Sequence, residues 1–202
     1  GSRVVTILIT LICIVLLAIA AGIAFVVFRG RFPRSAVGTG MTPFQEAEAA
    51  RRQVGMTDYS AESEPPVAQW QASYVIGDDL FDVSESIDSG SGEFLGECGV
   101  GISDTIGEGD RKKVTAFEVW LFDKNDIQTV TKVLMSTHAF FDGAIRARLE
   151  AKGEPIQAEP GAEFVLETQT LQMAVTVKDM AYGDNALPPQ SYFDRMIVEL
   201  AI

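Results

Sequence analysis

A long apolar run opens the chain. Between Val4 and Phe28 there is no charged residue, and the one strong helix breaker is Gly22. This run exceeds the roughly 20 apolar residues that a transmembrane helix needs. It is also longer than the apolar region of about 7 to 15 residues in a secretory signal peptide. We therefore predict a transmembrane helix at residues 4–28 of a single-pass membrane protein.

Basic residues flank this predicted span unequally. Arg29, Arg31 and Arg34 follow the span, whereas Arg3 alone precedes it. Because cytoplasmic flanks carry an excess of Lys and Arg, this distribution places the C-terminal side in the cytoplasm.

Two small residues within the span, Ala18 and Gly22, are spaced for contact between helices. Pairs of this kind allow close approach of two transmembrane helices, and here they suggest self-association. They are also common in transmembrane helices without such a role, and that alternative stays open.

Residues 29–67 have the composition of a linker, because prolines and glycines are frequent and bulky apolar side chains are few. Within them, Thr42 and Gln45 form the pattern of a capping box, with Pro43 between them. Gly55 supplies a stop. We predict a short helix at residues 43–54 inside this juxtamembrane linker.

From residue 68 the apolar positions recur at every second residue, as at Trp70, Ala72 and Tyr74. This period is typical of half-buried strands. Turn-forming clusters, such as Gly77-Asp78-Asp79, separate the alternating segments. Residues 68–202 therefore form a β-rich domain, with about eight strands that begin near Trp70, Phe81, Phe94, Val114, Ile127, Glu163, Leu171 and Tyr192.

One helix interrupts the strands. Phe141, Ile145 and Leu149 repeat at helical spacing, and Gly153 with Pro155 follows as a stop. Short strands without an alternation of strand and helix exclude a doubly wound nucleotide fold. The fold class is mainly β (α+β), a β-sandwich or open barrel with one helix.

Composition removes several classes of function. The chain has 16 Lys and Arg against 28 Asp and Glu, for a net charge of -12, and most of the excess lies in residues 68–202. A nucleic-acid binder needs a basic surface instead. The single His138 excludes a His-rich metal centre, and the distant Cys13 and Cys98 exclude a CxxC site. We expect no cofactor.

Two loop compositions suggest ligands. Glycines are dense from Gly90 to Gly109, but no phosphate-loop motif occurs, and the run Arg111-Lys112-Lys113 precedes a strand instead of a helix. Acidic residues crowd several turns. Their spacing does not match the EF-hand motif, and the preference of turns for Asp and Asn explains them equally well. They are therefore candidates for a weak cation site only. The candidates are Asp78, Asp79, Asp82, Asp104, Glu108, Asp110 and the group Asp123, Asn125 and Asp126.

A loop before the last strand combines an aromatic residue, polar residues and prolines. Its candidate partner-binding residues are Tyr182, Asp184, Asn185 and Leu187. Loops with such side chains are frequent binding edges. The alternative is a plain hairpin connection.

The anchor, linker and acidic domain, without a catalytic motif, indicate a protein-binding adaptor or an accessory subunit of a membrane assembly. Its expected partners are the lipid bilayer and another membrane or membrane-associated protein. The alternative is an envelope protein whose external domain binds ions or glycans. A hydrolase that uses His138 is a third hypothesis, but no nucleophile elbow accompanies this residue.

Overall fold

A computed structural model describes residues 42–61, 64–109 and 112–202, which belong to one compact unit, Met41–Ile202. Within those ranges no helix has the length and apolar character to cross a membrane. The predicted span at 4–28 and its features lie outside the described residues and stay predictions: Ala18, Gly22, Arg29, Arg31 and Arg34.

The described part is mainly β, as predicted. In chain order its elements are α1 (Pro43–Val54), β1 (Gln69–Val75), β2 (Asp82–Asp88), β3 (Phe94–Ile106), β4 (Lys113–Asp123), β5 (Gln128–Met135), α2 (Thr137–Phe141), α3 (Gly143–Glu150), β6 (Glu154–Gln157), β7 (Glu163–Glu167), β8 (Gln172–Tyr182) and β9 (Phe193–Ala201).

The strands form two sheets. Sheet A has the order β1-β9-β8-β7, and sheet B has the order β2-β3-β4-β5-β6. Neighbouring strands are antiparallel except for β5 and β6, which are parallel. The two sheets share one apolar core, and this arrangement is consistent with a β-sandwich.

Aromatic rings join the sheets at the centre of this core. Phe117 of β4 lies 5.1 Å from the ring of Tyr74 in β1 and 5.3 Å from the ring of Phe193 in β9, measured between centroids. All three side chains are buried. Burial of each large apolar side chain contributes roughly 1.5–3 kcal/mol to folding. The alternating positions Trp70, Ala72 and Tyr74 therefore face this core.

Helix α1 occupies the residues for which the capping pattern predicted a helix. The Gln45 backbone N–H donates to Thr42 Oγ1 at 3.4 Å, and the Thr42 N–H donates to Gln45 Oε1 at 3.0 Å. The helix contacts β1, and Ala47 is buried.

After α1, the chain is held to sheet A by a polar cluster, which we call the Thr57 clasp: Gly55, Thr57, Gln69, Gln71, Lys178 and Glu199. The Thr57 N–H donates to Glu199 Oε2 at 2.9 Å, and the Thr57 hydroxyl donates to the same carboxylate. Lys178 Nζ lies 2.8 Å from Thr57 Oγ1. Gln69 and Gln71 donate to the carbonyls of Thr57 and Gly55. Part of the predicted linker is therefore packed on the sheet.

The prediction of one helix after β5 was wrong, because the segment contains two. Asp142 ends α2 and caps α3, since its Oδ1 accepts the N–H groups of Ala144 at 3.0 Å and Ile145 at 2.9 Å. Phe141 is consequently outside the apolar stripe and 71% exposed. The two helices cover Ala116, Val133 and Met135 on the outer face of sheet B.

A ninth strand, β6, also differs from the prediction of about eight. Its residues Glu154–Gln157 follow the expected helix stop and pair with Lys132–Met135 of β5. Pro155 fits there because β6 is an edge strand, where a missing N–H leaves no ladder bond unmade.

Candidate functional site

One end of the domain carries a surface cleft, hereafter the loop cleft. Its described lining residues come from the turn after β3, the start of β4 and the β8–β9 loop: Gly107, Glu108, Gly109, Lys113, Asn185, Ala186 and Leu187. The structure thus brings the glycine-rich segment and the predicted partner-binding loop together. In the sequence these two segments are separate features.

Backbone conformation explains the glycines on one side of the loop cleft. Gly107 has a φ of 107° and Gly109 a φ of 58°, both in the region that favours glycine. The β3–β4 register also shifts between Ile102 and Thr105. Such irregularities bend a strand and redirect its end. The result is a turn that exposes backbone beside Lys113.

The β8–β9 loop on the other side has a fixed base. The Leu187 N–H donates to Asn185 Oδ1 at 2.8 Å, which closes a local turn. Tyr182 stacks on Phe193 with ring centroids 5.3 Å apart, and its hydroxyl accepts the Thr137 N–H at 3.0 Å. Burial raises the pKa of Tyr182, which therefore stays protonated.

The four residues predicted for partner binding thus separate into two groups. Asn185 and Leu187 line the loop cleft, and Leu187 is half-buried. Asp184 is exposed in the same loop. Tyr182 is not among the lining residues, and its hydrogen bonds and stacking instead support the base of the loop.

Unpaired positive charge distinguishes this end of the domain. Among the described residues, Lys112 and Lys113 are the basic side chains with neither an ion pair nor a hydrogen bond. The other described basic residues contact carboxylates, or in one case Ser103: Arg51, Arg52, Lys124, Lys132, Arg146, Arg148, Lys152, Lys178 and Arg195.

Lys112 lines a second, smaller cavity beside the loop cleft. Its other described lining residues are Asp79, Ile102, Thr105, Gly109 and Val114. Gly109 lines both cavities, so Lys112 and Lys113 lie on adjoining surfaces. Lys112 is exposed and Lys113 is half-buried.

The acidic candidates do not converge on a cation site in the part of the chain that the structure describes. No group of three His, Cys, Asp or Glu side chains in that part could hold a metal ion. Asp104 forms an ion pair with Arg148. Glu108 lines the loop cleft and Asp79 the smaller cavity. Asp78 is half-buried and Asp82 is exposed. Asp110 lies outside the described residues.

Asp123, from the third acidic group, is a structural acceptor. Its buried carboxylate accepts hydrogen bonds from Asn125, Asp126, Thr168 and Thr170. These bonds join the β4–β5 turn to the β7–β8 turn. With its oxygens so occupied, Asp123 has little capacity to ligate a cation.

The hydrolase hypothesis needs a nucleophile in addition to His138, and Ser136 and Cys98 are the side chains to consider. The Ser136 hydroxyl accepts the Ala139 N–H at 3.2 Å and lies 2.9 Å from Thr115 Oγ1. The described residues hold no hydrogen bond between the His138 imidazole and a serine or carboxylate. Burial, together with nearby Glu85 and Glu97, raises the pKa of the Cys98 thiol to about 12. A thiol of that kind is a poor nucleophile.

Comparison with protein-family models, with curated proteins and with solved structures found no match for this chain.

Lys112 and Lys113 were not predicted as site residues from the sequence. The available signal was the run Arg111-Lys112-Lys113, the one basic cluster near the glycines. Its meaning depends on which lysines lack a carboxylate partner, and that information exists only in three dimensions.

Proposed function

We propose that this chain is a single-pass membrane protein whose β-rich domain binds another protein through the loop cleft, as an adaptor or accessory subunit of a membrane assembly. One observation carries the proposal. The cleft combines Leu187, the amide of Asn185 and the unpaired Lys113 on two backbone-exposing turns. A protein interface combines an apolar centre with a polar rim, and this lining offers groups of both kinds.

Photo-crosslinking in intact cells tests this proposal. A photoreactive residue replaces Ala186 in the full chain, and a matched control replaces Gly90. Gly90 lies in the β2–β3 turn, at the opposite end of β3 from the loop cleft. We expect a discrete protein adduct from position 186 and not from position 90. Identical adduct patterns at both positions would contradict the proposal.

The cytoplasmic location of the domain is part of the proposal and rests on Arg29, Arg31 and Arg34. A reporter fused after Ile202 tests it, with one version active only in the cytoplasm and the other only outside. A flexible spacer is required, because the Ile202 N–H and carbonyl bond to Ala68 and Val67. An external signal would instead favour the envelope alternative.

A further inference from the structure

We infer that the segment recognised by the loop cleft is an acidic peptide with an aliphatic or aromatic anchor. This inference rests on the proposed function and specifies the chemistry of the partner. It commits to a linear protein segment whose carboxylates contact Lys112 and Lys113 and whose apolar side chain packs on Leu187.

Charge complementarity is the first argument. Within the described residues every other Lys and Arg side chain already has an acceptor. Lys112 and Lys113 have none. Lys113 is also half-buried, and contacts at such positions are less screened than fully exposed ones. An incoming carboxylate therefore finds its complement at this end of the domain.

The net charge of -12 does not prevent this recognition. At physiological ionic strength the Debye length is about 8 Å, so distant acidic residues are largely screened at the cleft. Binding of the acidic segment then depends on the charges that it contacts directly. We expect the overall repulsion to slow association at low salt, whereas the two lysines set the affinity of the complex.

Backbone access is the second argument. A Cβ atom built on Gly109 meets nothing within 4 Å, so open space adjoins this turn. Absence of a side chain allows close approach of another backbone. On the facing loop, exposed Ala186 and half-buried Leu187 provide apolar surface. An extended segment fits these features better than a compact charged ion, which would leave Leu187 without a contact.

Replacement of Glu108 should change the affinity for an acidic segment in the opposite direction to replacement of a lysine. It is the one carboxylate among the described lining residues of the loop cleft. A like charge close to bound carboxylates weakens their binding. Glu108→Gln should therefore tighten binding of an acidic segment, whereas Lys113→Gln should weaken it.

The experiment uses the full chain in nanodiscs of zwitterionic phosphatidylcholine at physiological salt. The probe is a displayed library of random 12-residue peptides, counter-selected against empty nanodiscs. We expect enriched peptides with a net negative charge and at least one large apolar residue. In membranes isolated from the cells used for crosslinking, each should compete with the crosslink at position 186.

Selected peptides are then titrated against four variants. Lys112→Gln with Lys113→Gln should weaken binding roughly tenfold, as expected for two ion pairs. Glu108→Gln should strengthen it about two- to fivefold. Lys124→Gln is the matched control, because Lys124 lies at the β4–β5 turn and pairs with Glu93. A Leu187→Ala variant tests the apolar anchor and should weaken binding.

Several results would overturn the inference. These are enrichment of neutral or basic peptides, no peptide that competes at position 186, or equal binding by the double lysine variant and Lys124→Gln. If the crosslink at position 186 persists in any of those cases, the proposed function stands and only the acidic specificity fails. Loss of both the crosslink and the peptide binding removes both proposals.

Discussion

At the scale of single residues, the buried carboxylate of Asp123 joins two turns. Thr168 Oγ1 donates to it at 2.8 Å across 45 residues of sequence, and Thr170 donates through its N–H at 2.9 Å and its hydroxyl at 2.7 Å. Burial alone raises the pKa of Asp123. The hydrogen bonds from Thr170, Thr168 and Asn125 outweigh burial and hold this pKa well below its usual value of 3.8.

We expect Asp123→Asn to lower the thermal unfolding midpoint more than Asp126→Asn does. Each carboxylate oxygen accepts at least one backbone N–H, so an asparagine NH2 group at either position loses at least one hydrogen bond. Because the folded pKa lies below the unfolded value, the Asp123 contribution is full above about pH 4 and is lost as pH falls further. Thermal scans at pH 7 and pH 3 measure both effects, and equal midpoints for the two variants would contradict the assignment.

Glycine is required at position 183 because the backbone there lies close to the Tyr192 ring. A Cβ atom built there would lie 2.0 Å from the buried Tyr192 ring. Gly183→Ala should destabilise the protein by about 1–3 kcal/mol, as in overpacked cores. The control Gly90→Ala, where nothing lies within 4 Å, should change stability by less than about 0.5 kcal/mol. Urea titration compares the two variants.

At the scale of elements, the Thr57 clasp holds the chain after α1 on sheet A. Thr57→Val removes the hydroxyl from Glu199, which is 1% exposed. A buried acceptor left short of a donor costs about 1–3 kcal/mol. The exposed Thr129 gives the matched control, Thr129→Val. Hydrogen exchange should show faster opening near Gly55 in the first variant alone.

The same element predicts a pH dependence. Burial raises the pKa of Glu199, but hydrogen bonds from Thr57 and the nearby Lys178 lower it below the usual 4.5 overall. The stabilisation is therefore present above about pH 4.5 and decreases as pH falls through the folded pKa. Between pH 6 and pH 3, Glu199→Gln should lose less unfolding free energy than the unaltered protein. An unchanged pH slope would contradict this role.

Hydrophobic patterning predicted the longer elements. Alternation located β1 around Trp70, Ala72 and Tyr74, and the apolar run from Val114 to Phe122 located β4, which is buried on both faces. The pattern failed for β6, whose four residues are too few for a period to register. The pattern also predicted α2 and α3 as one helix, because the capping role of Asp142 depends on backbone geometry that a hydrophobic pattern does not encode.

At the scale of the whole molecule, the loop cleft could not be predicted. Residues 107–109 and 113 are far from residues 185–187 in sequence. They meet at one end because the sheet with β3 and β4 packs on the sheet with β8 and β9 around one core. Both segments are unusual in composition. Local patterns contain no information about their proximity, nor about which lysines find carboxylate partners.

The compact unit Met41–Ile202 predicts that residues 41–202 fold without the preceding segment. We expect this fragment to unfold in one cooperative transition, measured by circular dichroism during urea titration. A fragment that also lacks Met196–Ile202 should show no such transition, because β1 and β8 both pair with β9. A cooperative transition in the shorter fragment would contradict the observed sheet order.

The central place of β9 in sheet A has a consequence for biosynthesis. β1 emerges from the ribosome early, but its hydrogen-bonding partner β9 is synthesised after the other strands that the structure describes. Until then, the edges of β1 and β8 and the apolar side chains of Trp70, Ala72 and Tyr74 remain uncovered. Such long-range pairing is slow, and exposed strand edges invite aggregation. We therefore expect the nascent chain to depend on chaperones throughout translation. Synonymous codons that slow synthesis near Phe193 should reduce the yield of folded protein without altering the stability of the finished protein.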